Sequence, residues 1–244
     1  LDDTFAFVEG LPSAPATGTE RVSILVGAGV SLARLASLAA EAGLSGLEFA
    51  CGIPGSVGGG IAMNAGAYGC CMADIVEEVE MASASGLEAV STAEMDWGYR
   101  SCRLPQRVVV TAIRLALVPG SLEVIAERQR ETLRKRRSVQ PQGVRTFGST
   151  FKNPSGGAAG RLIEAAGLKG TRCGGAEISR VHANFLVNLG DATTADVLAL
   201  MSLMRAEVLR TSGVALEPEV RLLGADFPWE SAAAAPGRPS QSDG

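Results

Sequence analysis

The residues with the most evident chemical potential lie in one run, Cys51-Gly-Ile-Pro-Gly-Ser-Val-Gly-Gly-Gly-Ile-Ala-Met-Asn-Ala-Gly-Ala-Tyr-Gly69. Repeated glycine removes Cβ atoms, so successive backbone N–H groups can turn toward one ligand and close on it. A pyrophosphate or a flat heteroaromatic ring suits such a surface. A set of tight turns between strands is the ordinary explanation of a glycine-rich loop. Ser56, Asn64 and Tyr68 add polar groups that a turn alone does not require, and they favour a ligand. A second glycine pair, Gly27-Ala28-Gly29, follows a strand-like segment and precedes a helical one, with Glu48 downstream. It is a weak dinucleotide-binding signal, because Leu32 stands where the third glycine of G-x-G-x-x-G permits close helix packing. His182 is the single histidine, without a carboxylate or metal partner in the pattern, and reads as structural or substrate-adjacent. Cys51, Cys70, Cys71, Cys102 and Cys173 form an odd set without C-x-x-C spacing, which suggests neither a disulfide framework nor a metal site.

These residues must be held by a mixed set of elements. Val22 to Val26 reads as a strand, Gly27 to Gly29 as a turn, and Leu32, Leu35, Ala36 and Ala39 as the apolar stripe of a helix stopping near Gly43. Strands are expected around Ile75 to Ala82 and Val108 to Leu117, where β-branched residues are dense. Pro119-Gly120 is a strong turn signal, and a helix from Ser121 to about Arg137 follows it. That turn is taken as a domain boundary. The basic positions Arg128, Arg130 and Arg134 to Arg137 read as a solvated face able to attract anions. Beyond it come a loop at Gln140 to Asn153, a short helix at Ala158 to Ala166 closed by Gly167, a strand at Asn184 to Asn188 and a helix from Thr194 to about Leu209. From Ala225 onward Ala, Pro, Ser and Gly dominate, and a frayed tail is expected. The expected domains are therefore 1–118, 119–224 and a disordered 225–244.

Composition narrows the function classes. The chain has 244 residues, a formal charge of −4, 46% hydrophobic, 20% charged and 5% aromatic residues. It is long enough for one large or two smaller cores, at roughly 100 to 200 residues per domain. It is too acidic to be a general nucleic-acid binder. No stretch approaches the ~18 to 20 apolar residues of a membrane span, so a cytoplasmic protein without membrane or nucleic-acid partners is expected. The chain opens Leu1-Asp2-Asp3-Thr4 rather than with Met, as a fragment would.

Gly43-Leu-Ser-Gly-Leu-Glu-Phe49, Gly52-Ile-Pro-Gly-Ser-Val-Gly-Gly59 and Met63-Asn-Ala-Gly-Ala-Tyr-Gly69 together resemble the flavin-binding stretch of the UDP-N-acetylmuramate dehydrogenase (MurB) family. Tyr99-Arg100, Gln140-Pro141, Gly148-Ser-Thr-Phe-Lys-Asn-Pro154, Ala159-Gly-Arg-Leu-Ile-Glu164, His182-Ala-Asn-Phe-Leu-Val-Asn188 and Leu216-Glu-Pro-Glu-Val-Arg221 are similar to its other signatures, in the family's order. The resemblance implies an α+β protein: an FAD-binding domain of the PCMH/vanillyl-alcohol-oxidase type, lacking its N-terminal part, then an α+β substrate domain. It also implies FAD and NADPH as cofactors and a UDP-sugar as small-molecule substrate, in a chain taken as monomeric. The implied reaction reduces the enolpyruvyl group of UDP-N-acetylglucosamine-enolpyruvate to UDP-N-acetylmuramate. With the upstream segment absent, the flavin site is expected to be open on one side.

By the same resemblance, Gly52, Ile53, Pro54, Gly55, Ser56, Gly58, Gly59, Asn64, Gly66 and Tyr68 bind the cofactor, and Tyr99, Lys152 and Asn153 bind the substrate. Arg100, Ser149 and Glu219 are the implied catalytic residues. Hydride addition to the terminal carbon of a substituted acrylate leaves negative charge on the adjacent carbon and its carboxylate. The site must then supply a preorganised cation and a proton donor. Arg100 offers a planar fork for the carboxylate, Ser149 a hydroxyl to protonate the carbon, and Glu219 a carboxyl beside them. Glu217 is the rival for that last role; the resemblance favours Glu219, because the family pattern puts the acid directly before a Val or Ile of the last strand, here Val220, and alternation along that strand would turn Glu219 and Arg221 to one face and Val220 and Leu222 to the other. The family usually carries Ser two residues after the arginine, and Cys102 stands there in this chain. Two other readings keep the pattern: a flavin-dependent sugar or alcohol oxidase of the same fold, for which a placed proton donor has no use, and a truncated non-catalytic paralogue.

Overall fold

A computed structural model describes residues 3–233. It divides between Ser138 and Val139 into two compact units.

The first unit is built on one antiparallel sheet. β1 (Val8–Glu9) and β2 (Val22–Gly27) lead through a tight turn into α1 (Leu32–Glu41). Ser31 caps α1 by accepting the Arg34 N–H at 3.1 Å, and Leu32, Leu35, Ala36 and Ala39 form its buried stripe, as their helical spacing requires. β3 (Leu44–Ser45) and the short α2 (Val57–Ala62) follow, then the small hairpin of β4 (Gly66–Ala67) and β5 (Cys70–Cys71). Next come β6 (Val76–Ser83), β7 (Gly86–Ser91), a second hairpin of β8 (Asp96–Gly98) and β9 (Ser101–Arg103), and β10 (Val109–Pro119). The strand order is β1-β2-β10-β6-β7, with β3 paired to the end of β10. β10 is the middle strand: Ile113 lies opposite Val26 on one side and Val79 on the other, and Ala112, Ile113, Leu115, Ala116 and Leu117 are all buried. That is why its sequence reads as a nearly unbroken apolar run.

α3 (Leu122–Val139) completes this unit. Ile125 is buried, the Gln129 side-chain amide donates to the Ala36 carbonyl at 2.8 Å, and Arg128 lies 3.7 Å from Glu48. The division therefore falls after α3, about twenty residues beyond the Pro119-Gly120 turn expected to mark it. The turn is real, but the helix after it packs back on the preceding sheet's unit.

The second unit contains β11 (Arg145–Ser149), α4 (Ala159–Ala165), β12 (Arg172–Cys173), β13 (Ala176–Ile178), β14 (Phe185–Asn188), α5 (Thr194–Ser212) and α6 (Pro228–Ala233). Its antiparallel sheet has the order β11-β14-β13-β12. Leu200, Met201, Met204 and Val208 of α5 join Ile163, Ile178 and Leu186 in one core. Thr193 and Asp196 form a reciprocal capping box at the start of α5, and Gly213 ends it with φ 72°.

The α+β class agrees with the sequence, with three local differences. The expected loop at Gln140 to Asn153 holds the edge strand β11. Leu216 to Leu222 is not a strand: it makes one isolated bridge, Phe151 to Pro218, flanked by Lys152 N–H to Glu217 O (2.8 Å) and Glu219 N–H to Thr150 O (2.9 Å). The tail expected to be disordered from Ala225 forms α6, where Phe227 is buried, the Trp229 ring stacks on it at 4.9 Å, and Arg205 lies 5.3 Å over Trp229. Residues 234–244 of that expectation lie outside the described residues. Among the described residues no helix is long and apolar enough to cross a membrane.

Candidate active site

The glycine-rich run does two jobs. One is internal. Ser56 caps α2 by accepting the Gly59 N–H at 3.2 Å, and the Val57 and Gly58 N–H groups donate to Val30 O and Ala28 O. A Cβ on Gly58 would stand 2.9 Å from the Ala28 methyl, so glycine is what lets the two backbones meet. Gly66 is equally confined: a Cβ there would stand 2.6 Å from Cys70 O across the β4–β5 hairpin. Buried Asn64 donates to Gly98 O at 3.0 Å and accepts the Ala73 N–H at 3.1 Å, so both ends of its amide are spent within the protein.

The other job is an open face. Gly52, Pro54, Gly55, Gly59, Tyr68 and Gly69 are exposed, and a Cβ at Gly55 or Gly69 would meet no atom within 4 Å. Ile53 packs partly against the core and supports the loop from beneath. An open, Cβ-free surface bordered by Tyr68 fits a flat ring with a diphosphate tail, so the run suits FAD. Gly27-Ala28-Gly29 does not: Gly27 and Gly29 donate to Phe7 O and Phe5 O (2.9 and 2.7 Å), and Ala28 donates to Thr111 O. A Cβ on Gly27 would lie 2.3 Å from Phe5 O, so these glycines admit the N-terminal segment rather than a phosphate.

Arg100 sits in the tight turn between β8 and β9, tied to the glycine-rich run. Its Nη1 donates to Gly66 O at 2.8 Å, and its guanidinium lies 5.3 Å from the centre of the Tyr99 ring. Together with Asn64 to Gly98 O, this joins the turn to the β4 segment at two points. Asn64, Tyr68 and Arg100 all hold left-handed backbone, with φ of 39°, 56° and 55°. Residues other than glycine are uncommon there, and such strain concentrates at functional sites. Cys102 does not join this face: it is buried opposite Trp97, and burial raises its thiol pKa, with Asp96 adding to the rise.

In the second unit Ser149 ends β11 opposite Phe185. Buried Asn184 then replaces a strand: its Oδ1 accepts the Phe151 N–H at 3.0 Å and its Nδ2 donates to Phe151 O at 2.8 Å. That clamp fixes the segment carrying Ser149 and Lys152. Glu219 is brought alongside by its N–H bond to Thr150 O, whereas the Lys152 ammonium is engaged by the rival Glu217 at 2.5 Å. Asn153 Oδ1 accepts the Ala159 N–H at 3.0 Å and so caps α4. His182 accepts the Asn184 N–H on Nδ1 and packs edge-on against Phe185 at 4.9 Å; burial lowers its pKa, helped by the Lys169 charge. A cavity of about 650 Å³ in this unit is lined by Phe147, Val187, Val197, Met201, Val220 and Arg221 among others, and by none of Ser149, Lys152, Asn153 or Glu219.

The structure thus gathers Ser149, Lys152, Asn153 and Glu219 in the second unit, and Arg100, Tyr99 and the cofactor-binding candidates in the first. Sequence reasoning gave two residues no role of their own. Asn184 stood only inside the His182 to Asn188 signature. Arg136 was grouped with the solvated basic face, although Ile125, Gln129, Thr132 and Arg136 recur at 4, 3 and 4 residues along α3, the spacing of an inward stripe.

The comparisons with known proteins agree with this division. Residues 17–90 match the family model described as an FAD binding domain, and residues 140–223 match the C-terminal domain of UDP-N-acetylenolpyruvoylglucosamine reductase. The fold and site thus define a flavin-binding domain joined to a reductase-specific partner domain. The chain is 47% identical over 230 residues to the UDP-N-acetylenolpyruvoylglucosamine reductase of Anaeromyxobacter dehalogenans strain 2CP-C, covering 94% of this chain and 70% of the relative. It is 50% identical to that of Anaeromyxobacter sp. strain Fw109-5 over 82% of this chain and 63% of the relative. The crystal structure of the reductase (MurB) from Thermus caldophilus superposes with a TM-score of 0.74 at 44% identity, covering 81% of this chain and 71% of that one. The chain belongs to the UDP-N-acetylenolpyruvoylglucosamine reductase family, and spans 70% and 63% of the length of these two Anaeromyxobacter relatives.

Proposed function

We propose that this protein reduces the enolpyruvyl ether of UDP-N-acetylglucosamine-enolpyruvate to the lactyl ether of UDP-N-acetylmuramate, with FAD and NADPH, for peptidoglycan precursor synthesis. The observation that carries the reading is the identity of 47% over 94% of the chain, which includes both the open glycine-rich face and the Gly148 to Pro154 segment. The flavin, when bound, would supply the hydride chemistry between nicotinamide and substrate. The chain's own residues do the rest. Gly52, Pro54, Gly55, Gly59 and Tyr68 would hold the cofactor at the open face, with Ile53, Ser56, Gly58, Asn64 and Gly66 shaping that face from behind. Arg100, preset by its bond to Gly66 O, holds the substrate carboxylate, whose negative charge grows as the double bond is reduced; a fixed guanidinium stabilises that charge without reorganising. Ser149 donates its hydroxyl proton to the carbon next to the carboxylate. Glu219, held beside the Ser149 segment by its N–H bond to Thr150 O, works with the arginine near the reacting double bond. Tyr99, Lys152 and Asn153 contact the nucleotide and sugar.

The test is NADPH oxidation that depends on the enolpyruvyl substrate, in protein carrying flavin absorbance. Ser149→Ala should keep reduction of the flavin by NADPH and lose substrate reduction. Unchanged turnover in that variant rejects the proton-donor role, and protein that never retains flavin rejects the reading as a whole.

A further inference from the structure

Of the basic residues near the end of α3, Arg136 alone turns inward. Arg128, Arg130, Arg134 and Lys135 each pair with a glutamate, Glu48, Glu127 or Glu131. Arg136 pairs with none among the described residues, and its Nε is buried without a hydrogen-bond acceptor. Its stem runs under Gly52, where a Cβ would stand 3.3 Å from Arg136 Cδ, and its guanidinium lies 6.0 Å from the centre of the exposed Tyr68 ring. Burial pulls its pKa down; the Tyr68 and Cys51 groups oppose that, and the like charge of Arg100 reinforces it. Two guanidinium groups thus stand within Coulombic reach of each other on the face that carries Tyr68. Helix-dipole stabilisation does not account for this, since a solvated arginine in the last turn, such as Arg137, serves that end without burial. A half-buried cation with an unused donor beside a second cation is the environment an anion would satisfy.

We infer that Arg136 is the second arm, with Arg100, of an oxyanion seat on the glycine-rich face, one that takes a carboxylate or diphosphate group. The inference rests on the proposed reductase activity only for the source of that group, which is either the cofactor's diphosphate or the substrate's carboxylate. The first measurement needs neither molecule. Calorimetric titration of the full chain with inorganic pyrophosphate should show binding that Arg136→Met weakens at least tenfold, because methionine keeps most of the stem against Gly52 and Tyr68 but removes the charge. Arg134→Met, on the exposed face, should leave it within twofold. Titrations with FAD and with the enolpyruvyl substrate then separate the sources: loss confined to FAD assigns the diphosphate, and loss confined to the substrate assigns the carboxylate. No pyrophosphate binding by the parent protein, equal binding by Arg136→Met, or equal loss in Arg134→Met overturns the seat. Arg136-dependent pyrophosphate binding in a protein that fails to oxidise NADPH with the substrate would sink the reductase reading and leave the seat standing.

Discussion

Asn184→Ala is the sharpest test of how the second unit holds its chemistry. The amide makes two hydrogen bonds to Phe151, at 3.0 and 2.8 Å, and both residues are buried. Truncation leaves the Phe151 N–H and C=O without partners, and each buried unsatisfied group costs about 1–3 kcal/mol, so the loss should be roughly 2–6 kcal/mol. Small domains have a net stability of only about 5–15 kcal/mol. Urea denaturation can resolve it in a Trp97→Phe background, where Trp229 of α6 is the remaining tryptophan and reports the second unit. Asn188→Ala is the internal control: its Oδ1 also accepts two N–H groups, from Gly190 and Ala192, but at a more exposed site. That loss should stay below about 1 kcal/mol, since water replaces the lost acceptor. Because Phe151 lies between Ser149 and Lys152, Asn184→Ala should also lower kcat in whatever fraction remains folded. A loss below about 1 kcal/mol, or no larger than that of the control, would refute the clamp.

Four further outcomes follow from the same geometry. Thr150 is fully buried and its hydroxyl has no hydrogen-bond partner among the described residues, so Thr150→Val should raise stability by about 1 kcal/mol, read as a higher urea midpoint; a lower midpoint would mean the hydroxyl is satisfied after all. Gly52 has φ 78° with Leu133 Cδ2 only 3.1 Å from a would-be Cβ, so Gly52→Ala should cost at least about 1–2 kcal/mol and reduce flavin retention, and an unchanged melting temperature would contradict it. Arg100→Lys should keep flavin content and lose about tenfold or more in turnover, because a point charge cannot reproduce a two-toothed grip; wild-type kinetics would remove Arg100 from carboxylate binding. His182, the only histidine, should titrate below 6.5 by NMR, as burial followed by the Lys169 charge directs. Its folded pKa lies below its unfolded one, so the stability it contributes is complete above about pH 6.5 and declines as pH falls from there toward the folded value. His182→Gln should flatten that part of the stability profile, and a midpoint above 6.5 would reverse the sign.

Where one segment's own periodicity sets its structure, the sequence was readable. The stripe of Leu32, Leu35, Ala36 and Ala39 is buried as spaced, and of Val197, Leu200, Met201, Met204 and Val208, which recur at helical spacing along α5, all are buried except the half-buried Val197. The glycine-rich run was identified as a special surface, but which of its members shape the surface and which line it depends on contacts with Ala28, Gly98 and Cys70 from other segments. β11 was hidden because Arg145 to Phe147 are exposed and Gly148, with φ 87°, breaks the alternation at a register shift. The unit boundary was displaced because a turn is a local property, whereas the docking of α3 depends on Ala36, about ninety residues earlier. α6 has too little pattern of its own and is fixed by Phe227, Trp229 and Arg205.

Tyr68 and Arg100 adopt a backbone geometry that glycine would occupy at less cost. Left-handed backbone penalises each by about 1–2 kcal/mol. A library of variants ranked by thermal resistance alone should therefore enrich glycine at both positions, while the same library ranked by turnover should discard it. Such opposite rankings would mark these two positions as places where a less durable fold is kept in return for a working side chain.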